Sequence, residues 1–92
     1  MKRHPFSAFV LTDHARLQMK RRGIAGELVR QVMEAPQQSE TVRPGRWVHQ
    51  SRLLFGSPKR EYLVRVFIDV DRIPVEVVTV YCTTKIGKYW RA

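Results

Sequence analysis

The hydrophobic periodicity of this chain changes once, at Pro36, and this change constrains the fold more than any other feature. Before Pro36 the apolar residues Leu28, Val29, Val32 and Met33 recur at helical spacing. After Pro36 the apolar residues alternate with polar ones or form β-branched runs, which is typical of strands. Helices that precede strands in one short chain predict the α+β class.

A first helix is predicted from its two ends. Thr12 or Asp13 can accept a hydrogen bond from a free backbone N–H of the first turn. The last turn holds three cations at positions 20–22, where the helix dipole favours them, and Gly23 ends the helix. The residues expected to face the core are Ala15 and Met19.

Four strand segments follow, at 37–42, 47–55, 62–70 and 74–82. Pro44-Gly45 and Asp71-Arg72 mark turns, and a break is predicted at 56–59. The last two segments are expected to pair antiparallel at the centre of the sheet. We therefore predict a single domain over residues 1–92, with two N-terminal helices packed on one face of an antiparallel β-sheet of about four strands.

The net charge of the chain predicts a polyanionic partner. Seventeen Lys and Arg against eight Asp and Glu give a formal charge of +9 over 92 residues. Nucleic acid, an acidic protein and an anionic membrane surface all satisfy this requirement. No apolar run approaches the roughly 20 residues of a membrane helix, so insertion into a membrane is excluded and only charge-driven adsorption to its surface stays open. We predict no membrane partner.

Cysteine and histidine usage bears on compartment and cofactors. The one cysteine, Cys82, permits no internal disulfide, which favours the cytoplasm. The spacing of His4, His14, His49 and Cys82 matches no ligand motif, so neither a metal nor another cofactor is predicted.

Two basic segments are candidates for contact with nucleic acid. The first helix combines a histidine with a row of cations, and the C-terminal segment combines cations with two adjacent aromatic residues that can stack on unpaired bases. The alternative for the second segment is that its rings fold back over the sheet. The predicted nucleic-acid-binding residues are Arg16, Lys20, Arg22, Lys85, Lys88, Tyr89 and Trp90.

Arg65 is the most informative residue of the strands because it shares a face with the apolar Leu63 and Phe67. If the alternate residues face the helices, Arg65 faces the opposite surface, where Thr79 or Tyr81 of the next strand can join it. The alternative is an ordinary cross-strand ion pair with Glu76 or Asp69.

Several short segments together carry a resemblance to a known group of proteins. They are Thr12-Asp13-His14-Ala15, Arg22-Gly23-Ile24, Val29, Pro36, Thr79-Val80-Tyr81, Lys85 and Lys88-Tyr89-Trp90. With these segments the chain resembles a family of small bacterial domains that is similar in outline to the RelE/ParE-like toxins of toxin–antitoxin modules. The resemblance implies a compact toxin fold, an acidic antitoxin as protein partner, and cleavage of free or ribosome-bound mRNA.

Metal-independent cleavage of RNA needs a base, an acid and cations for the charge that develops on the phosphate. The predicted catalytic residues are His14, Arg65 and Tyr81, with His49 able to reach the same surface from mid-strand. Capping or packing against Trp47 is the alternative role of His14. A non-catalytic module that binds nucleic acid or protein through the same basic surface is the alternative function.

Overall fold

The computed structural model describes residues 4–92 and confirms the α+β class. A five-stranded sheet has the strand order β1-β5-β4-β3-β2, and α1 and α2 pack against it. The elements in chain order are β1 (Phe9–Leu11), α1 (Asp13–Arg22), α2 (Gly26–Glu34), β2 (Gln38–Arg43), β3 (Arg46–Phe55), β4 (Arg60–Asp69), β5 (Val75–Thr83) and α3 (Ile86–Tyr89).

The structure corrects the predicted sheet in strand number, strand direction and element order. A short strand, β1, precedes the helices and pairs parallel with β5, so the sheet is mixed and has five strands. The central strand is β4, and β5 lies between β4 and β1. Three residues are too few to show the two-residue alternation, which is why the sequence did not reveal β1. The single turn of α3 is likewise too short to show helical periodicity.

Both ends of α1 were predicted correctly. The Thr12 hydroxyl accepts a hydrogen bond from the Ala15 amide at 3.1 Å, and Gly23 ends the helix in the left-handed conformation with φ 65°. Ala15 and Met19 face the core as expected. Among the described helices, none is long and apolar enough to cross a membrane.

The core lies between the two helices and one face of the sheet. The α2 residues Val29, Val32 and Met33 are buried, as the helical spacing predicts, and they share one cluster with residues of β4 and β5. The sheet contributes Val64, Val66, Ile68, Val75, Val77 and Val80 to this cluster. The β4 members have even numbers, so the odd-numbered residues of that strand face away from the helices.

Side chains of α1 bind the part of β5 that has no strand beside it. Because β1 pairs only with Val75–Val77, no strand within residues 4–92 lies along the outer edge of β5 at Val80. Gln18 accepts a hydrogen bond from the Val80 amide at 2.8 Å, and Arg22 donates to the Val80 carbonyl at 2.9 Å. These two bonds fix α1 against the strand and place the Arg22 guanidinium next to Tyr81.

We expect Met33→Ala to destabilise the fold by about 2–5 kcal/mol, because it leaves a cavity in a fully buried site. Leu17→Ala, at a position that is 44% exposed, serves as the control and is expected to change stability by about 0.5 kcal/mol or less. Urea unfolding of the two variants measures both values. Equal effects would contradict the assignment of the core.

Candidate nucleic-acid interface

The sheet face opposite the helices carries a row of polar side chains across four strands. Strand register aligns Gln38 with Gln50, Gln50 with Arg65, and Arg65 with Tyr81. The register therefore places Arg65 and Tyr81 on one surface, as predicted. The two glutamines, which the sequence analysis did not single out, complete the row.

Two neutral groups hold the Arg65 guanidinium. Its Nε donates to Gln50 Oε1 at 3.0 Å, and its Nη1 donates to the Tyr81 hydroxyl at 2.5 Å. The alternative of an ion pair with Glu76 or Asp69 was wrong, because those carboxylates pair with Arg72 and Arg46.

Arg65 therefore keeps its charge and most of its donors. Within residues 4–92, it forms no ion pair with a carboxylate. An arginine has five N–H donors, and the two bonds above leave three that are not bound to the described protein.

Three aromatic rings surround the same guanidinium. Its central carbon lies 4.3 Å from the ring centroid of Tyr89, 5.3 Å from that of Phe67 and 5.6 Å from that of Tyr81. These distances allow cation–π attraction, which fixes the position of the cation without neutralising it.

The two tyrosines of this cluster differ in acidity. The Tyr81 hydroxyl is the largest influence that lowers the pKa of Tyr89, and the charges of Lys88 and Arg65 lower it further. Burial raises the pKa of Tyr81, although its hydrogen bond with Arg65 opposes that effect. Tyr89 is therefore the more acidic phenol, and Tyr81 is the one that stays protonated to a higher pH.

Two buried glutamines hold the C-terminal segment, residues 89–91, against the sheet. Gln50 Nε2 donates to the Tyr89 carbonyl at 3.2 Å, and Gln38 exchanges two hydrogen bonds with the backbone of Arg91. The Arg91 side chain forms an ion pair with Glu40. These bonds position the Tyr89 ring over Arg65.

The rings of the C-terminal segment do fold back over the sheet, as the alternative interpretation anticipated. Tyr89 covers Arg65, and the Trp90 ring lies 5.3 Å from the guanidinium carbon of Arg52. Both rings are only partly buried, so each still presents surface to solvent. Burial against the sheet and stacking on a ligand are therefore compatible here.

The other predicted cations divide into those near this cluster and those apart from it. The Arg22 guanidinium lies 5.9 Å from the Tyr81 ring, and the Lys88 ammonium lies 5.4 Å from the Tyr89 ring. Lys85 is exposed between β5 and α3. Arg16 donates to the Leu11 carbonyl, and Lys20 is exposed on α1.

His14 is not brought into contact with Arg65 or Tyr81. It is exposed in the first turn of α1, and among the described residues it forms no hydrogen bond or ring contact with either. About 12 Å of helix, at roughly 1.5 Å per residue, separates it from Arg22. The histidine ring that packs against Trp47 is that of His4, with 4.4 Å between the two ring centroids. Within residues 4–92, no ring contact joins His14 to Trp47. A catalytic role for His14 remains a prediction.

His49 does not reach the Arg65 surface, which corrects the sequence prediction. It pairs in register with the core residue Val66, and its side chain is fully buried on the helix-facing side of the sheet. Its Nε2 donates to the His4 carbonyl, and its Nδ1 accepts from the Ser39 hydroxyl. Burial lowers the pKa of His49, so the imidazole is a neutral structural group.

The described residues contain no group of three or more His, Cys, Asp or Glu placed to hold a metal ion. Cys82 packs against the core, and burial raises the pKa of its thiol. A raised pKa lowers the thiolate fraction, so this position does not favour a nucleophile.

Sequence reasoning missed Gln38, Gln50 and Glu40. One signal was present, because His49-Gln50-Ser51 is a run of three polar residues in the middle of a strand. Successive side chains of a strand point to opposite faces of the sheet, so such a run places polar side chains on both faces. In a buried strand, each of those groups requires a hydrogen-bond partner.

A family model described as a domain of unknown function, DUF4258, matches residues 11–82. The chain belongs to the DUF4258 family. The DUF4258 match extends from the end of β1 almost to the end of β5, so it contains Gln50, Arg65 and Tyr81 but not Tyr89. Comparisons with curated proteins and with solved structures gave no match.

Replacing Gln50 tests the polar row. We expect Gln50→Leu to destabilise the fold by about 1–3 kcal/mol, because Arg65 Nε loses its acceptor and the Tyr89 carbonyl loses its donor. Gln31→Leu, on the exposed side of α2, is the control and is expected to stay within about 0.5 kcal/mol. Chemical denaturation gives both numbers, and a neutral Gln50→Leu would show that the row contributes nothing to stability.

The lowered pKa of His49 predicts a pH dependence of stability. The unfolded chain, with a histidine pKa near 6.5, binds the proton more readily than the folded chain. The contribution of His49 to the free energy of unfolding is therefore complete above about pH 6.5. It is lost as the pH falls towards the pKa of His49 in the folded state. Urea unfolding at pH 7.5 and 5.5 should show a larger loss for the wild type than for His49→Gln. Equal losses would mean that His49 is not responsible.

Proposed function

We propose that this chain is a toxin-like protein that binds single-stranded RNA at Arg65 and cleaves it without a metal. The observation that supports this proposal is an arginine held, among residues 4–92, by two neutral side chains and no carboxylate, with three N–H donors that no described residue binds. Arginine binds phosphate through such paired donors. The resemblance to RelE/ParE-like toxins is consistent with phosphate binding by an arginine on the sheet surface. The proposal also includes a RelE/ParE-like fold for this chain.

The reaction is attack of an RNA 2′-hydroxyl on the adjacent phosphorus, with loss of the 5′-oxygen of the next nucleotide. The 2′-oxygen–phosphorus bond forms, the phosphorus–5′-oxygen bond breaks, and the products are a 2′,3′-cyclic phosphate and a 5′-hydroxyl. Arg65 stabilises the charge that develops on the phosphate oxygens. Tyr89, whose pKa is lowered, donates a proton to the leaving oxygen, while the proton of the 2′-hydroxyl passes to water.

One observation favours a second candidate, a binding module that does not cut RNA. The two histidines that sequence reasoning considered for proton transfer are not at Arg65, since His14 is exposed on α1 and His49 is buried on the other face. Without a base beside the phosphate, the same surface can still hold RNA through Arg65, Arg22 and Lys88.

The proposal includes a second partner besides RNA, an acidic antitoxin protein, and the charge distribution of the chain supports it. Five of the fifteen described Lys and Arg side chains form ion pairs, which leaves ten without a carboxylate partner. An acidic chain that covers the Arg65 face would neutralise part of this charge and exclude RNA from it.

Cleavage assays separate the two candidates. We expect the intact protein, in EDTA, to cut a labelled single-stranded RNA or ribosome-bound mRNA into discrete products. Arg65→Ala should lower the rate about a hundredfold or more, because the phosphate loses its fixed cation. Tyr89→Phe should also lower the rate, since the leaving oxygen loses its proton donor. His14→Ala is measured alongside them, because the sequence predicts a catalytic role for this residue.

Arg60→Ala is the matched control, since Arg60 is an exposed cation of the same strand that forms no ion pair among the described residues. Circular dichroism verifies that each variant is folded. Absence of cleavage by the wild type, with salt-dependent RNA binding that Arg65→Ala weakens, would contradict the nuclease and support the binding module. Absence of RNA binding would contradict both.

A further inference from the structure

A groove of about 380 Å³ lies directly beside Arg65 on the same face of the sheet. Val48 and Phe67, which are register partners on β3 and β4, lie side by side along it. Tyr89 of the C-terminal segment also lines it, so one side of the groove is aromatic. A groove with an aromatic side and an adjoining cation that pairs with no described carboxylate fits a ligand with a flat ring and an attached anion.

The charges around the groove favour the same kind of ligand. Glu40 and Arg91 also line it, but they form an ion pair with each other. The carboxylate therefore does not neutralise Arg65, and its repulsion of an anion is offset by Arg91. The net charge beside the groove is that of Arg65.

The size of the groove limits how much of a nucleic acid can enter it. Small-ligand pockets have volumes of roughly 300–1,000 Å³, and this groove lies at the lower end of that range. A single base with its sugar is a ligand of that scale, whereas a base within a duplex must first break its pair and leave its stack. The groove therefore suits a single strand whose base is free to turn outwards.

We infer that this groove holds the base of one unpaired nucleotide while Arg65 binds the phosphate next to it. The inference rests on the proposed function and adds how the single-stranded RNA is recognised: one nucleotide at a time, through stacking of its base on Phe67 and Tyr89. The C-terminal segment, which the two glutamines fix in place, supplies one of the two rings.

The test uses a 2′-O-methyl RNA hexamer, which cannot be cleaved because its attacking hydroxyl is blocked. A second hexamer has the same backbone and charge but no bases. Fluorescence anisotropy with the full chain measures the affinity for both. We expect the wild type to bind the hexamer with bases about tenfold or more tightly than the one without, which is the scale of one stacked base. Phe67→Leu should lose most of this difference.

Tyr62→Leu is the matched control, because Tyr62 is also a half-buried aromatic residue of β4 but packs against Phe55. It should retain the wild-type difference between the two hexamers. A wild type that binds both hexamers equally, with affinity that Arg65→Ala reduces, would overturn the base groove and leave the proposed function standing. A wild type that binds neither hexamer would overturn both. Equal losses in Phe67→Leu and Tyr62→Leu would also overturn the groove.

Discussion

The side-chain amide of Gln50 is the contact on which the rest of the candidate site depends. Its oxygen accepts from Arg65, and its nitrogen donates both to Gln38 and to the Tyr89 carbonyl. One buried neutral group thus links three strands and the C-terminal segment. A carboxylate in its place would pair with Arg65 and remove the charge that a phosphate requires, so the neutrality of the amide matters as much as its bonds.

Sequence reasoning located α1, α2 and the four long strands because each carries a repeated local signal. Thr12 and Gly23 mark the ends of α1 through chemistry that acts within one turn, and the alternation along β4 separates its two faces. β1 lacks enough residues to repeat any pattern, and its parallel pairing with β5 is a long-range contact. Such a pairing is set by packing of the whole chain and leaves no local trace.

The candidate site was predictable to the extent that strand register controls it. Arg65 and Tyr81 lie on neighbouring strands with matching alternation, and they meet as predicted. The absence of a carboxylate partner for Arg65 was not predictable, because it depends on Asp69 and Glu76 being bound by Arg46 and Arg72. His49 was misplaced because a one-residue difference along a strand decides which face a side chain occupies.

The hydrogen bonds from α1 to Val80 have a consequence for how the molecule meets other chains. A strand edge with free amides and carbonyls is a template on which another chain can add a strand. Gln18 and Arg22 occupy both backbone groups of Val80, so α1 closes this edge of β5 at the residue that precedes Tyr81. A second copy of this chain therefore finds no free backbone group at Val80 on which to add a strand.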